Sequence, residues 1–285
     1  MNYEQLFAFV VFAEHLSFTH AARQLHLSQP ALHVQVKKLG EAVGCPLYRR
    51  TGRTLVLTPE GKQLAAFGRE ARDRGRAALD EIRRQPSAGP VVLASGQGAF
   101  LYLLGPAIRR FPKDRWPLRL LAMPGQDALE AVRDGRAHLG VVALDQPPDD
   151  LHAARLCAVG QHVVLPSSHR LARRRTLAPR ELADEPLIVA PLGTPHRAML
   201  AHTFQAAGTA LRVAVEATGW ELMLQFAKSG MGLAVVNDFC AAPRGMAAVP
   251  LVGAPPITYY QVQRVGFTSP GSAALQRLIA ETAHA

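Results

Sequence analysis

Sixteen residues near the start of the chain, Ser17-Phe18-Thr19-His20-Ala21-Ala22-Arg23-Gln24-Leu25-His26-Leu27-Ser28-Gln29-Pro30-Ala31-Leu32, restrict what its first part can become. Ser17 and Ser28 each precede a short helical pattern, and a serine hydroxyl there accepts from the free amide hydrogens of a helix start. Pro30 falls in the first turn of the later helix, where its missing N–H removes no hydrogen bond. Leu6, Phe9, Val10 and Ala13 recur at helical spacing before this stretch, and the third helix continues through Leu32, Val36 and Leu39 to a stop signal at Gly44. Pro46 to Arg50 and Leu55 to Thr58 read as two short strands around Thr51-Gly52-Arg53-Thr54. Three helices and a hairpin make a winged helix-turn-helix pattern.

Thr58-Pro59-Glu60 restarts a helix with a cap, a proline at the first position and a carboxylate near the positive helix end. No proline follows until Pro86, and Leu64, Phe67, Ala71, Ala78 and Ile82 form a narrow, nearly heptad stripe. Such a stripe either packs on the chain's own body or pairs with another helix, and its spacing favours a helix–helix dimer seam. Pro86-Ser87-Ala88-Gly89-Pro90 reads as a hinge. Beyond it, strand patterns at Val91–Ala94, Leu118–Ala122, Leu139–Ala143, Gln161–Leu165, Leu187–Val189, Leu211–Val215, Leu233–Val236 and Val262–Phe267 alternate with helical ones. Helices are expected at Phe100–Phe111, Ala128–Asp134, Arg197–Ala207, Glu221–Ser229 and from Ser272. The alternation argues for parallel sheet in an α/β domain.

Of the formal net charge of +10, +5 falls on residues 1–88, so charge density is higher where the helix-turn-helix pattern lies. That coincidence favours a nucleic-acid partner over a membrane surface or an acidic metabolite. The apolar stretch Leu6 to Ala13, closed by Glu14 and His15, fits neither a signal peptide nor a membrane span. The expectation is a cytoplasmic protein with no membrane partner. Cys45, Cys157 and Cys240 are too few and too dispersed for a disulfide framework or a CxxC metal site.

The stretch from Ser17 to Leu32, with Leu39, Gly44, Pro46-Leu47-Tyr48-Arg49-Arg50 and Leu57-Thr58-Pro59-Glu60-Gly61, resembles the amino-terminal domain of the LysR-type transcriptional regulators. The resemblance implies that the helix from Ser28 to about Val43 enters the major groove, its first residues meeting base edges. Ser28 and Gln29 offer hydroxyl and amide groups, glutamine suiting an adenine edge, and Pro30 and Ala31 can touch thymine methyls. His33 is expected one turn on toward the groove. Lys37, Lys38, Arg49, Arg50 and Thr19 suit phosphate contacts, and Arg53 beside Gly52 suits a minor groove. The sequence departs from the family pattern at His33 and Val34, where serine then arginine are usual, and at Gly40, where an acid is common.

More loosely, Gly135-Arg136-Ala137-His138-Leu139-Gly140, His169-Arg170-Leu171-Ala172 and Gly230-Met231-Gly232-Leu233-Ala234 sit at the spacings of the family's effector domain, which is similar to type 2 periplasmic binding proteins. The implied fold is an α+β multidomain chain: winged helix-turn-helix (1–58), linker and dimerisation helix (59–88), and a two-lobed α/β effector domain (89–285). Lobe I is expected over 89–159 and 265–285 and lobe II over 160–264, with the chain crossing near Val159 and returning near Arg264. A small, potentially anionic effector would bind between the lobes. Ser95-Gly96-Gln97-Gly98 follows a strand and opens a helix, so it either cradles an anion or is a plain tight turn. Gln126, Thr194 and His196 occupy equivalent strand ends, and Trp220 lines the pocket or packs between elements. Arg170, Arg173, Arg174 and Arg175 read as solvated surface.

No HExxH, GxxxxGK[ST] or GxSxG occurs, so no catalytic residue, metal site or cofactor is expected. The expected partners are double-stranded operator DNA, a small-molecule effector, and further copies of the chain in a homodimer or homotetramer. A thiol-based redox-sensing regulator and a solute-binding protein that does not touch DNA are the alternatives.

Overall fold

Asn2, Ser17 and Ser28 start the first three helices of the computed structural model, which describes residues 2–83, 89–266 and 268–283. Each cap side chain accepts a backbone hydrogen: Asn2 from Gln5 at 2.8 Å, Ser17 from His20 at 3.4 Å and Ser28 from Ala31 at 3.3 Å. The helices are α1 (Tyr3–His15), α2 (Phe18–Gln24) and α3 (Gln29–Val43), and Gly44 ends the last in the left-handed region at φ 81°. Strands β1 (Tyr48–Thr51) and β2 (Thr54–Leu57) pair antiparallel around the Gly52-Arg53 turn. Phe9, Phe12, Leu32, Val36, Leu39 and Leu47 form the core of this module.

Helix α4 (Pro59–Arg83) follows directly. Its first turns belong to the same core, because Ala65 is buried there and Gly68 lies against Val10 and Leu6. The expected stripe is divided: Leu64 is half-buried against that core, whereas Phe67, Ala78 and Ile82 face solvent. The expected hinge lies outside the described residues as far as Ala88.

Two five-stranded sheets follow. The first has the order β4-β3-β5-β12-β6, from β3 (Val91–Ser95), β4 (Leu118–Ala122), β5 (Leu139–Ala143), β6 (Leu151–Val159) and β12 (Ile257–Arg264). Around it pack a π-helical turn (Ala99–Leu103), α5 (Gly105–Arg110), α6 (Gly125–Arg133) and α9 (Pro270–Ala283). The second has the order β11-β7-β10-β8-β9, from β7 (Gln161–Pro166), β8 (Leu187–Val189), β9 (Val213–Glu216), β10 (Leu233–Asn237) and β11 (Met246–Leu251). Helices α7 (Pro195–Ala206) and α8 (Trp220–Lys228) cover it, each with its own core.

Three expectations change. The sheets are mixed: β3, β4 and β5 run parallel, as do β8, β9 and β10, but β12 is antiparallel to β5 and β6, and β7 to β10 and β11. The long helix expected at Phe100–Phe111 is two pieces, because Gly105-Pro106 opens a new helix. The return to lobe I precedes Ile257 rather than falling near Arg264, since all of β12 pairs within the first sheet, in register from Ile257↔Val159 to Arg264↔Leu151. Residues 257–264, expected in lobe II, therefore belong to lobe I.

Candidate functional site

Helix α3 presents a row of exposed side chains at Gln29, His33 and Lys37, four residues apart and thus on one face. Ser28 and Pro30 are exposed beside Gln29, Ala31 is half-buried and Lys38 is exposed one position round. Neighbouring elements hold the row. The Thr19 hydroxyl of α2 donates to Gln29 Oε1 at 3.3 Å, Tyr48 Oη of β1 lies 3.2 Å from His33 Nε2, and Lys37 pairs with Glu41 at 3.8 Å. His33 is thus less free than the sequence suggests, its ring also lying 5.1 Å from that of Phe18.

The wing supplies the second group. Strand alternation separates Arg49 and Arg50 to opposite faces, both exposed. Arg50 Nε donates to the Gly52 carbonyl at 3.1 Å, which draws that side chain along the turn, and Arg53 sits at the exposed tip. Gly52 has φ 60°, so the turn needs glycine there. Between α3 and β1 runs an open groove of about 790 Å³, floored by Leu47 and Val36 and rimmed by Lys37, Arg49 and Arg50. The rim offers cationic and hydrogen-bonding groups at the spacing of a helix and a wing.

The candidate effector residues divide differently. Ser95 is fully buried and its hydroxyl donates to the Val141 carbonyl at 2.6 Å, so this side chain holds β3 to β5. Gly98 lies directly under the Trp220 indole, and Gln97 Oε1 sits beside Gly219. Gln126 is exposed in the first turn of α6. Thr194 caps α7, accepting from the Arg197 amide at 3.2 Å and donating to the Pro191 carbonyl at 2.8 Å. His196 is buried against Trp220, ring centroids 4.8 Å apart, and neither ring nitrogen has a hydrogen-bond partner among the described residues. Burial, and then the Arg197 charge, hold its pKa down to about 3, so the ring is neutral.

Residues that sequence reasoning missed join the lobes here. Tyr102 stacks on Phe239 at 5.8 Å, and Phe239 meets Tyr259 at 5.9 Å. Burial and a hydrogen bond to Glu221 push the Tyr102 phenol up. One edge of the crevice is thereby closed by Trp220 on Gly98. The other holds a cavity of about 340 Å³ between α7 and the carboxyl end of β5, lined by Asp145, Pro195, Met199, His202 and Thr258 among others. The strand-end rule for parallel sheets would have pointed to Asp145.

The linker helix reaches lobe I as well. Arg69, only 3% exposed, donates from Nη1 to the Asp134 carbonyl at 2.5 Å, and Arg74 donates to the Gly266 carbonyl at 2.9 Å. In the expected surface arginine run, Arg170 pairs with Glu185 and Arg174 with Glu181. Burial and neighbouring carboxylates push the Cys157 and Cys240 thiols up, away from the thiolate that redox sensing requires. Among the described residues, no group of three or more His, Cys, Asp or Glu is placed to hold a metal ion, and no helix is long and apolar enough to cross a membrane.

Two family models match the chain: one described as "Bacterial regulatory helix-turn-helix protein, lysR family" over residues 3–62, and one described as "LysR substrate binding domain" over residues 84–284. Similar proteins include the RuBisCO operon transcriptional regulator of Allochromatium vinosum, 26% identical over 83% of this chain and 80% of that protein. The regulator AlsR of Bacillus subtilis is 28% identical over 83% of this chain and 80% of its own length. Among solved structures, a full-length OxyR variant from Pseudomonas aeruginosa superposes with a TM-score of 0.79 at 21% identity, covering 100% of this chain and 95% of that one. CbnR in complex with its target DNA superposes with a TM-score of 0.66 at 19% identity, covering 99% and 100%. At these identities the structural likeness concerns the fold.

Proposed function

Because the chain belongs to the LysR family of bacterial transcriptional regulators, we propose that it binds operator DNA through paired winged helices and changes its grip when a small molecule occupies the interlobe crevice. The observation that carries the reading is the exposed row Gln29, His33 and Lys37 on α3, flanked by the wing arginines Arg49, Arg50 and Arg53. Gln29 and His33 meet base edges, Ser28, Pro30 and Ala31 line the approach, and Thr19, Lys37, Lys38, Arg49 and Arg50 hold phosphates. Arg53 reaches the minor groove from the wing tip.

Pairing of two chains uses the exposed apolar face of α4 at Phe67, Leu79 and Ile82, together with Tyr3 and Phe7 of α1. It sets two recognition helices on two half-sites. The effector sits between the lobes, in reach of Gln97, Gln126 and the open edge at Asp145 and His202. Ser95 and Thr194 shape the walls rather than offering free groups, and His196 stands behind Trp220 as a buried neutral ring. A ligand acts there by favouring one lobe arrangement over another. The contacts of Arg69 and Arg74 with lobe I give that arrangement a mechanical route to the DNA-binding module.

Fluorescence anisotropy with a duplex from the chain's own upstream region, against a scrambled duplex of equal length, tests the reading. Preference for the former, with affinity falling steeply as salt rises, is the expected result. Equal binding to both at every salt concentration removes sequence-specific regulation.

A further inference from the structure

His33 stands exposed on α3 among the residues of the recognition row, and its environment fixes its chemistry. Tyr48 is wedged beside Phe12 at 5.2 Å and Phe18 at 5.4 Å, and burial pushes its phenol up, so the hydroxyl keeps its proton. That hydroxyl lies 3.2 Å from His33 Nε2. A phenol donates better than it accepts, because its oxygen lone pair is delocalised into the ring. Tyr48 therefore donates to Nε2, and the proton of the neutral imidazole resides on Nδ1. The imidazolium also carries a proton on Nδ1, so this nitrogen is a donor in either charge state.

We propose that His33, its tautomer set by Tyr48 of the wing, is a specificity-determining residue that reads a guanine in the major groove through Nδ1–H. The inference rests on the reading of α3 as the recognition helix. In the major groove guanine presents two adjacent acceptors, N7 and O6, whereas adenine sets an N6 amino donor beside its N7 and thymine offers a single acceptor, O4, so a row of N–H donors finds two partners only on guanine. The neighbour in the row reinforces this choice. Thr19 occupies Gln29 Oε1, which turns the amide's Nε2 donors outward, so two donors follow one another along the exposed face. The Tyr48 bond also ties the reading side chain to the wing, so the helix and the hairpin present one rigid surface.

The test selects duplexes from a randomised library with the full chain, as wild type, H33A and Y48F, and then measures affinity by anisotropy with 7-deazaguanine placed in the selected site. The wild type is expected to enrich guanine at one position of each half-site. H33A should flatten that preference by fivefold or more and Y48F by a smaller factor, each lowering affinity for the selected site more than for random duplex. 7-Deazaguanine at that position should weaken the wild type and leave H33A unaffected. H33A loses an exposed hydrogen bond to Tyr48 and a ring contact with Phe18, so it is expected to fold with the same cooperativity and to melt slightly below the wild type. A wild-type motif that H33A leaves intact, or enrichment of an A·T pair at the position that H33A affects, overturns the inference while the regulator reading stands. A wild type that selects no motif overturns both.

Discussion

Asp73 Oδ2 lies 3.2 Å from His138 Nε2, and this hydrogen bond joins the linker helix to lobe I of the same chain. The Val92 backbone N–H donates to His138 Nδ1 at 2.9 Å, so the ring must carry its proton on Nε2, where it faces the carboxylate. A neutral histidine thus serves as a directional donor between two elements 65 residues apart. With Arg69 and Arg74 it makes the docking of α4 on lobe I specific in register, because each partner is a single backbone carbonyl or carboxylate.

The Asp73 contact gives acid sensitivity of a defined sign. Burial raises its pKa, but the His138 hydrogen bond and the charges of Arg72 and Arg76 outweigh that and leave it below the ordinary 3.8. A depressed folded-state value contributes stability that is fully present above the unfolded value and lost as pH falls through the folded one. D73N should therefore melt below wild type at pH 7, by about 1–3 kcal/mol, with the gap closing below about pH 4. Paired thermal melts across that range check this, and a gap independent of pH counts against it.

Gly61 has no room for a side chain, because a Cβ there would overlap the Leu47 carbonyl oxygen, which is backbone and cannot swing away. G61A should cost about 3 kcal/mol or more, since relief requires moving the wing off α4. G105A, whose nearest neighbour is the end of the Arg109 side chain, serves as the matched control and should stay within about 1 kcal/mol. Urea unfolding of the two variants decides it.

Trp220 closes one edge of the crevice by lying on Gly98 while packing on the lobe II core, so G98A should displace the indole from lobe I. The expected outcome is a red-shifted Trp220 emission, read in a W116F background because Trp116 is the other tryptophan. Unchanged emission would mean that the indole does not guard the crevice.

Ile82 is 77% exposed and Phe67 53%, so replacing Ile82 by glutamate should leave the fold of one chain almost untouched, within about 0.5 kcal/mol. Sedimentation velocity should nevertheless show dimers dissociating at tenfold or more higher concentration. Unaltered association would move the pairing surface away from α4.

Local rules determined the first sixty residues. Ser17, Ser28, Pro30 and Gly44 specify helix starts and stops within a few residues, and such signals act wherever the chain goes. The reach of α3 and the exposure of Gln29, Lys37 and Arg53 follow from period and polarity alone. Strand β6 escaped because buried and exposed residues do not alternate regularly along it, and β11 because two alanines and Pro250 leave it little strand-forming character, so antiparallel partners set the pairing. Tertiary structure alone decided which lobe β12 joins, since that depends on pairing with strands about a hundred residues or more away. It also decided that Ser95 and Thr194 commit their hydroxyls to backbone carbonyls, that His196 is neutral, and that Tyr48 orients His33. A sequence states which groups a side chain carries; which of them remain free depends on neighbours that only the folded chain brings within about 3 Å.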